Sequence, residues 1–204
     1  RYIAGHEHLI DLSLGPLITD AGLAVLRELP AFTDASRPGA KLSLAKCPFI
    51  GDEGLKHVGA LAGLERLELC ESRLTKDRWV SFLEPDVAWP ASYTGAGLAP
   101  LRHLPHLRDL CFSGEKMDDD AIEHVGQFLN LTSLACGYAV SGDRGWEGLS
   151  KSQSIETLSA FCCHGMTGMG LRALAAMPRL SGLELGSDQI QDADLAALED
   201  FETM

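Results

Sequence analysis

"LITDAGLAVLREL", residues 17–29, combines a turn, a Thr-Asp helix start and apolar residues at helical spacing, and the chain repeats this run several times. Close copies are "FIGDEGLKHVGAL" (49–61), "SYTGAGLAPLRHL" (92–104) and "GMTGMGLRALAAM" (165–177). Looser ones are "KMDDDAIEHVGQF" (116–128) and "QIQDADLAALEDF" (189–201). Ahead of the helices stand alternating apolar pairs, Leu12/Leu14, Leu42/Leu44, Leu67/Leu69, Leu110/Phe112, Leu134/Cys136, Leu158/Ala160 and Leu183/Leu185. Period two is the signature of a strand. Successive pairs are 30, 25, 43, 24, 24 and 25 residues apart, so the long gap is expected to hide a further unit. Val87 and Trp89 supply its strand pair, and Tyr93 and Thr94 open its helix, which makes eight units.

Each unit then carries an apolar helix column, Leu23, Leu55, Trp79, Leu98, Ile122, Trp146, Leu171 and Leu195, with a second apolar residue three positions on. That i, i+3 stripe faces a core. Four positions ahead of it, or five in the case of Ser141, stand Thr19, Gly51, Thr75, Thr94, Asp118, Ser141, Thr167 and Gln191; six of the eight are helix-capping types, which sets where each helix begins. Just before the column, five positions are glycine: Gly22, Gly54, Gly97, Gly145 and Gly170. Glycine costs about 1 kcal/mol against alanine in a helix, and close approach of neighbouring units is the expected reason.

Written as LxxLxLxx(C/N)xxITDxGLxxLxxLPxL, the pattern resembles the leucine-rich repeat, in the cysteine-containing style of F-box-type and many bacterial repeat proteins. The resemblance implies an α/β horseshoe of about eight repeats, with parallel strands on the concave side and helices on the convex side. It also implies a ladder position bonding to neighbouring loops, here Leu17, Cys47, Ser72, Ser92, Glu115, Ala139, Cys163 and Asp188. Departures at Leu17 and Ala139 predict local looseness or bound water. A unit of this kind cannot bury both its faces alone; stacking makes each the lid of the next. Residues 1–204 read as one such domain. The Arg1 start, and Leu195, Leu198 and Phe201 facing where a ninth unit would stack, point to a segment of a longer chain or to end-to-end association.

A net charge of −12 argues against nucleic acid and anionic membranes and favours a basic partner. No apolar run is long enough to span a bilayer, and with no signal-peptide stretch the chain reads as cytoplasmic. Six cysteines without a CxxC pair are expected to be reduced thiols. "FCCHG" (161–165) reads as a ladder thiol, Cys163, beside a solvated one, Cys162, rather than a metal site. "NLT" (130–132) and "GWEGLSKS" (145–152) use core positions, and "GMTGMG" spans a cap and the glycine column. Neither a catalytic set nor a cofactor motif assembles, so no enzyme, cofactor or metal is expected. "TDASRPGAK" (33–41) is read as a surface loop.

Strand residues that do not enter the core must line the concave face. Most are small, and two groups rise from them. One is charged, Lys41, Lys46, Arg66, Glu68 and Glu71; the other is aromatic, Tyr138 and Phe161, roughly 15–25 Å away across the strands. With Asp109 and Glu184 they form the candidate partner-binding set. The expected function is a non-enzymatic protein-interaction module, an adaptor or recognition domain. The alternative is an inhibitor or immunity-type protein blocking a basic enzyme such as a nuclease or toxin.

Overall fold

The computed structural model describes residues 6–70, 92–187 and 189–203. Seven strands, β1 (Asp11–Ser13), β2 (Ala40–Ser43), β3 (Leu64–Glu68), β4 (Asp109–Ser113), β5 (Ser133–Gly137), β6 (Thr157–Cys163) and β7 (Gly182–Ser187), form one open sheet in chain order. Every pairing is parallel. The sheet is backed by α1 (Asp20–Leu23), α2 (Pro30–Thr33), α3 (Asp52–Val58), α4 (Gly95–Leu98), α5 (Asp119–Val125), α6 (Asp143–Leu149) and α7 (Gly168–Ala175). Tight 3₁₀ turns extend α1 and α4, and another covers Asp192–Thr203. Between the layers lies one apolar core holding the strand pairs and the helix stripe, with Leu23, Leu55, Leu98, Ile122, Trp146 and Leu171 all fully buried.

The register matches the apolar pairs: Leu12, Leu42, Leu67, Leu110, Leu134, Leu158 and Leu183 stand side by side. The expected eighth unit is corrected here. β3 pairs directly with β4, Leu67 against Leu110, so no strand lies between them. The 43-residue interval therefore places no strand between β3 and β4 in the sheet. The Val87/Trp89 pair, Thr75 and Trp79 fall outside the described residues. Spacing alone suggested a unit; pairing excludes its strand from that place.

Thr94, Asp118 and Thr167 cap their helices as expected, each accepting a hydrogen bond from a backbone N–H of the first turn. For α6 the cap is Gly142, one residue later than Ser141. Ser141 is instead fully buried and donates its hydroxyl to Asp119 (3.0 Å). That bond belongs to an aspartate relay between units. Asp20 accepts from the Gly51 N–H (2.8 Å), Asp52 from the Thr94 N–H (2.7 Å), Asp119 from the Gly142 N–H (2.6 Å) and Asp143 from the Thr167 N–H (2.8 Å). The first residue of one helix thus holds the cap of the next, at the end where the N–H groups lack partners.

The relay explains the glycine column. A Cβ on Gly145 would lie 2.8 Å from Asp119 Cα, and one on Gly170 would lie 2.8 Å from Asp143 Oδ1, whereas a Cβ on Gly22 meets only its own unit's Ile18 at 3.5 Å. Gly145→Ala is therefore expected to cost about 1–3 kcal/mol by forcing two units apart. Gly22→Ala should be neutral or stabilise by up to about 1 kcal/mol through helix propensity. Chemical denaturation of the two variants side by side checks the opposite signs; equal shifts would remove the close-approach account.

At the ladder position, Cys47 reaches the carbonyl of Gly15 (3.2 Å), Cys163 that of Cys136 (3.8 Å), and the Ser92 hydroxyl that of Pro48 (2.5 Å), each in the preceding unit. Leu17 is 84% exposed, in line with its departure from the pattern. Ala139 is packed rather than loose: it is fully buried and its carbonyl accepts from the His164 N–H (2.9 Å). Ser72 and Asp188 lie outside the described residues. The thiol expectation is corrected at two of six positions, since Cys70 and Cys111 form a disulfide with Cα atoms 6.0 Å apart. Cys47, Cys136, Cys162 and Cys163 are free.

Leu195 and Leu198 line an open cavity of about 600 Å³ with Leu183, Leu185 and Ile190, and remain 48% and 37% exposed. Among the described residues, no helix is long and apolar enough to cross a membrane. In the 33–41 stretch, Asp34 accepts from the backbone N–H and the hydroxyl of Ser36 (2.8 and 2.7 Å), a turn that holds its carboxyl below the usual range.

Candidate functional site: the side-chain rows facing away from the core

Parallel pairing sets the outward side chains of the sheet in rows. The first runs Asp11, Lys41, Arg66, Asp109, Ser133, Thr157, Gly182. With no strand between β3 and β4, Arg66 stands against Asp109 and donates to it through Nε (3.2 Å) and Nη2 (3.0 Å). Both side chains are well exposed, so the pair is worth about 0–1 kcal/mol and serves to orient the two groups more than to stabilise the fold. Lys41 is exposed beside Asp11 in the same row.

The second row runs Ser43, Glu68, Cys111, Ala135, Ser159, Glu184. Its centre is apolar, because Cys70, Cys111 and Ala135 form a small buried cluster separate from the main core. The Ser159 hydroxyl donates to Glu184, leaving Glu68 and Glu184 as carboxylates flanking that centre. In the third row Phe161 stands between Gly137 and Gly186.

Lys46, Gly114, Tyr138 and Cys162 share one column where the chain turns out of the strand, and all four have positive φ (61°, 144°, 55° and 48°). Non-glycine residues there bear a cost of about 1–2 kcal/mol each, which the repeat tolerates at three places. Tyr138 is thereby brought against Cys162 of the next unit, and partial burial and that thiol push its phenol pKa up. Its N–H donates to the Phe161 carbonyl (2.9 Å), tying the two aromatic positions together. Cys162 is exposed, as expected; one residue on, Cys163 is buried against Cys136, whose thiol is pushed up by their shared hydrogen bond and by burial.

Of the nine candidate residues, Lys41, Arg66, Glu68, Asp109, Phe161 and Glu184 stand in these rows, Lys46 and Tyr138 share the column at their end, and Glu71 lies outside the described residues. Their spacing changes. From β2 and β3 to β5 and β6 there are two to four strand steps, about 10–19 Å, shorter than the expected 15–25 Å because one strand fewer intervenes. Two features were not legible in the sequence: the Cys70–Cys111 bridge in the middle of the surface, and exposed Phe49 (57%) on the loop leaving β2. Among the described residues, no three His, Cys, Asp or Glu side chains gather as a metal site would require.

Superposition on solved structures decides the architecture. Internalin C2 from Listeria monocytogenes matches over 94% of this chain and 78% of its own, with TM-score 0.57 and 19% identity. The fold is a leucine-rich-repeat solenoid. TLR13, solved as a complex with ssRNA13, matches over 87% of this chain and 22% of its own, with TM-score 0.53 and 15% identity. No protein-family model and no curated protein matches. Identities this low carry the solenoid and nothing finer, so what binds it has to be argued from its own surface.

Proposed function

We propose that this leucine-rich-repeat solenoid is a non-enzymatic recognition module that holds a protein partner on the open face of its sheet. The observation carrying this reading is the juxtaposition on one wall of a self-paired charged row, small side chains and two linked aromatics, Tyr138 and Phe161. An interface of ordinary size spans both groups, and aromatics with satellite charges are the usual centres of binding energy. Small neighbours let a partner's backbone approach the floor.

The test is quantitative capture from the native cell with the wild-type chain and with a Tyr138→Ala, Phe161→Ala variant. A specific partner should fall by at least about tenfold on the double variant, since two central aromatics contribute more than 1.4 kcal/mol. Equal recovery by both chains would remove these residues from the site. The net charge of −12 favours a basic partner, and with it the narrower reading of an inhibitor seated on a cationic enzyme. Release that steepens with added salt separates that reading from a salt-indifferent, apolar interface.

A further inference from the structure

The junction between the third and fourth units, β3–α4 against β4–α5, is built differently from its neighbours. On the helix side the relay is missing: Gly95 stands where Asp20, Asp52, Asp119 and Asp143 stand in other units, and Ala121 replaces the facing glycine. The methyl of Ala121 fills the space, 2.5 Å from where a Gly95 Cβ would be, so no carboxylate from α4 reaches the start of α5. Along the chain, 43 residues separate equivalent positions of the two strands, against 24 to 30 for the other pairs. On the sheet side the strands pair only over Arg66–Glu68 and Asp109–Cys111.

At that same place stand fasteners found at no other described junction. Cys70, directly before residues 71–91, is bonded to Cys111 of β4. Tyr93, just after that stretch, is buried, with its hydroxyl 3.4 Å from the Leu69 carbonyl and 3.0 Å from the Ser113 carbonyl, and it accepts from the Ser113 N–H (3.3 Å). Cys70 and Tyr93 thus both tie β3 to β4, one of them covalently. The seam also lies between the charged group on β2 and β3 and the aromatic pair on β5 and β6.

We propose that Cys70–Cys111 is a redox-operated fastener of this seam, and that its reduction loosens the solenoid between β3 and β4 while the units on either side stay folded. A dithiol reductant supplies two electrons and two protons; the S–S bond breaks to two thiols, and the reductant closes to its cyclic disulfide. Since the other four cysteines are free, reduction acts at this one bond. The consequence for binding, a partner affinity set by redox state, rests on the recognition reading above; the seam itself does not.

The full chain is compared by hydrogen–deuterium exchange with and without excess dithiothreitol, alongside thiol titration of the denatured protein. Titration should give four thiols untreated and six after reduction. Amides bridging the seam, Leu69 N–H to the Cys111 carbonyl and Arg108 N–H to the Glu65 carbonyl, should exchange at least about tenfold faster on reduction. Those joining β5 to β6, such as Tyr138 N–H, should keep their protection. A Cys111→Ser variant should exchange fast at the seam with or without reductant. Six thiols in the untreated protein, seam protection unchanged after complete reduction, or a uniform loss over all strands would each overturn the proposal. Because no partner enters this experiment, its outcome is independent of the capture experiment.

Discussion

Trp146→Ala is expected to destabilise the protein by about 3–5 kcal/mol, the usual cost of emptying a fully buried tryptophan site. Trp146 occupies a helix column that most units fill with leucine or isoleucine, and none of its surface reaches solvent. Its indole N–H donates to the Ser141 carbonyl (3.1 Å), so truncation removes both volume and a buried donor. In a stack held by neighbour contacts the loss is felt by the units beside it before the rest. Trp146→Leu restores the residue the repeat uses elsewhere and should cost about half as much, because cavity size sets the penalty. Urea denaturation followed by far-ultraviolet circular dichroism measures both. Equal losses for Ala and Leu would mean that the indole hydrogen bond, not packing, accounts for the effect.

How far the sequence could be read follows from the range of each signal. The apolar pairs and the helix stripe are periodicities of a few residues, so strand register and the buried column were legible, down to Leu110 opposite Leu134 and Leu158. The outward rows follow from the same alternation, and that is why six of the nine candidate residues, Lys41, Arg66, Glu68, Asp109, Phe161 and Glu184, stand in them. What failed was a count. Val87 and Trp89 sit at a permissible spacing, but spacing cannot tell which strands become neighbours in the sheet. That single error concealed two contacts, because an intervening strand would have kept Arg66 from Asp109 and Cys70 from Cys111. The aspartate relay was missed for a different reason. An acidic residue in the first helical turn already has a local explanation in the helix dipole, and nothing in the sequence shows that its partner lies a whole unit away.

That relay makes the second large prediction. Asp143→Ala is expected to cost about 2–4 kcal/mol, because one carboxylate accepts the Thr167 N–H (2.8 Å), the Thr167 hydroxyl (2.7 Å) and the Gly170 N–H (2.9 Å). Hydrogen bonds to a charged acceptor are worth about 1.5–3 kcal/mol when sheltered, and partial exposure of Asp143 lowers the sum. Removal leaves the first turn of α7 with unpaired donors and an empty space above Gly170. Asp143→Asn keeps an acceptor of the same shape but no charge, so it should lose less than half as much. Measured by denaturation, the ratio of the two losses separates the hydrogen bonds from the charge. If Asn is as damaging as Ala, the ionised carboxylate facing the helix start is the stabilising element. If Asp143→Ala is nearly silent, the joint between the units of α6 and α7 is held by apolar stacking alone, and the recurring aspartate must be explained within its own helix.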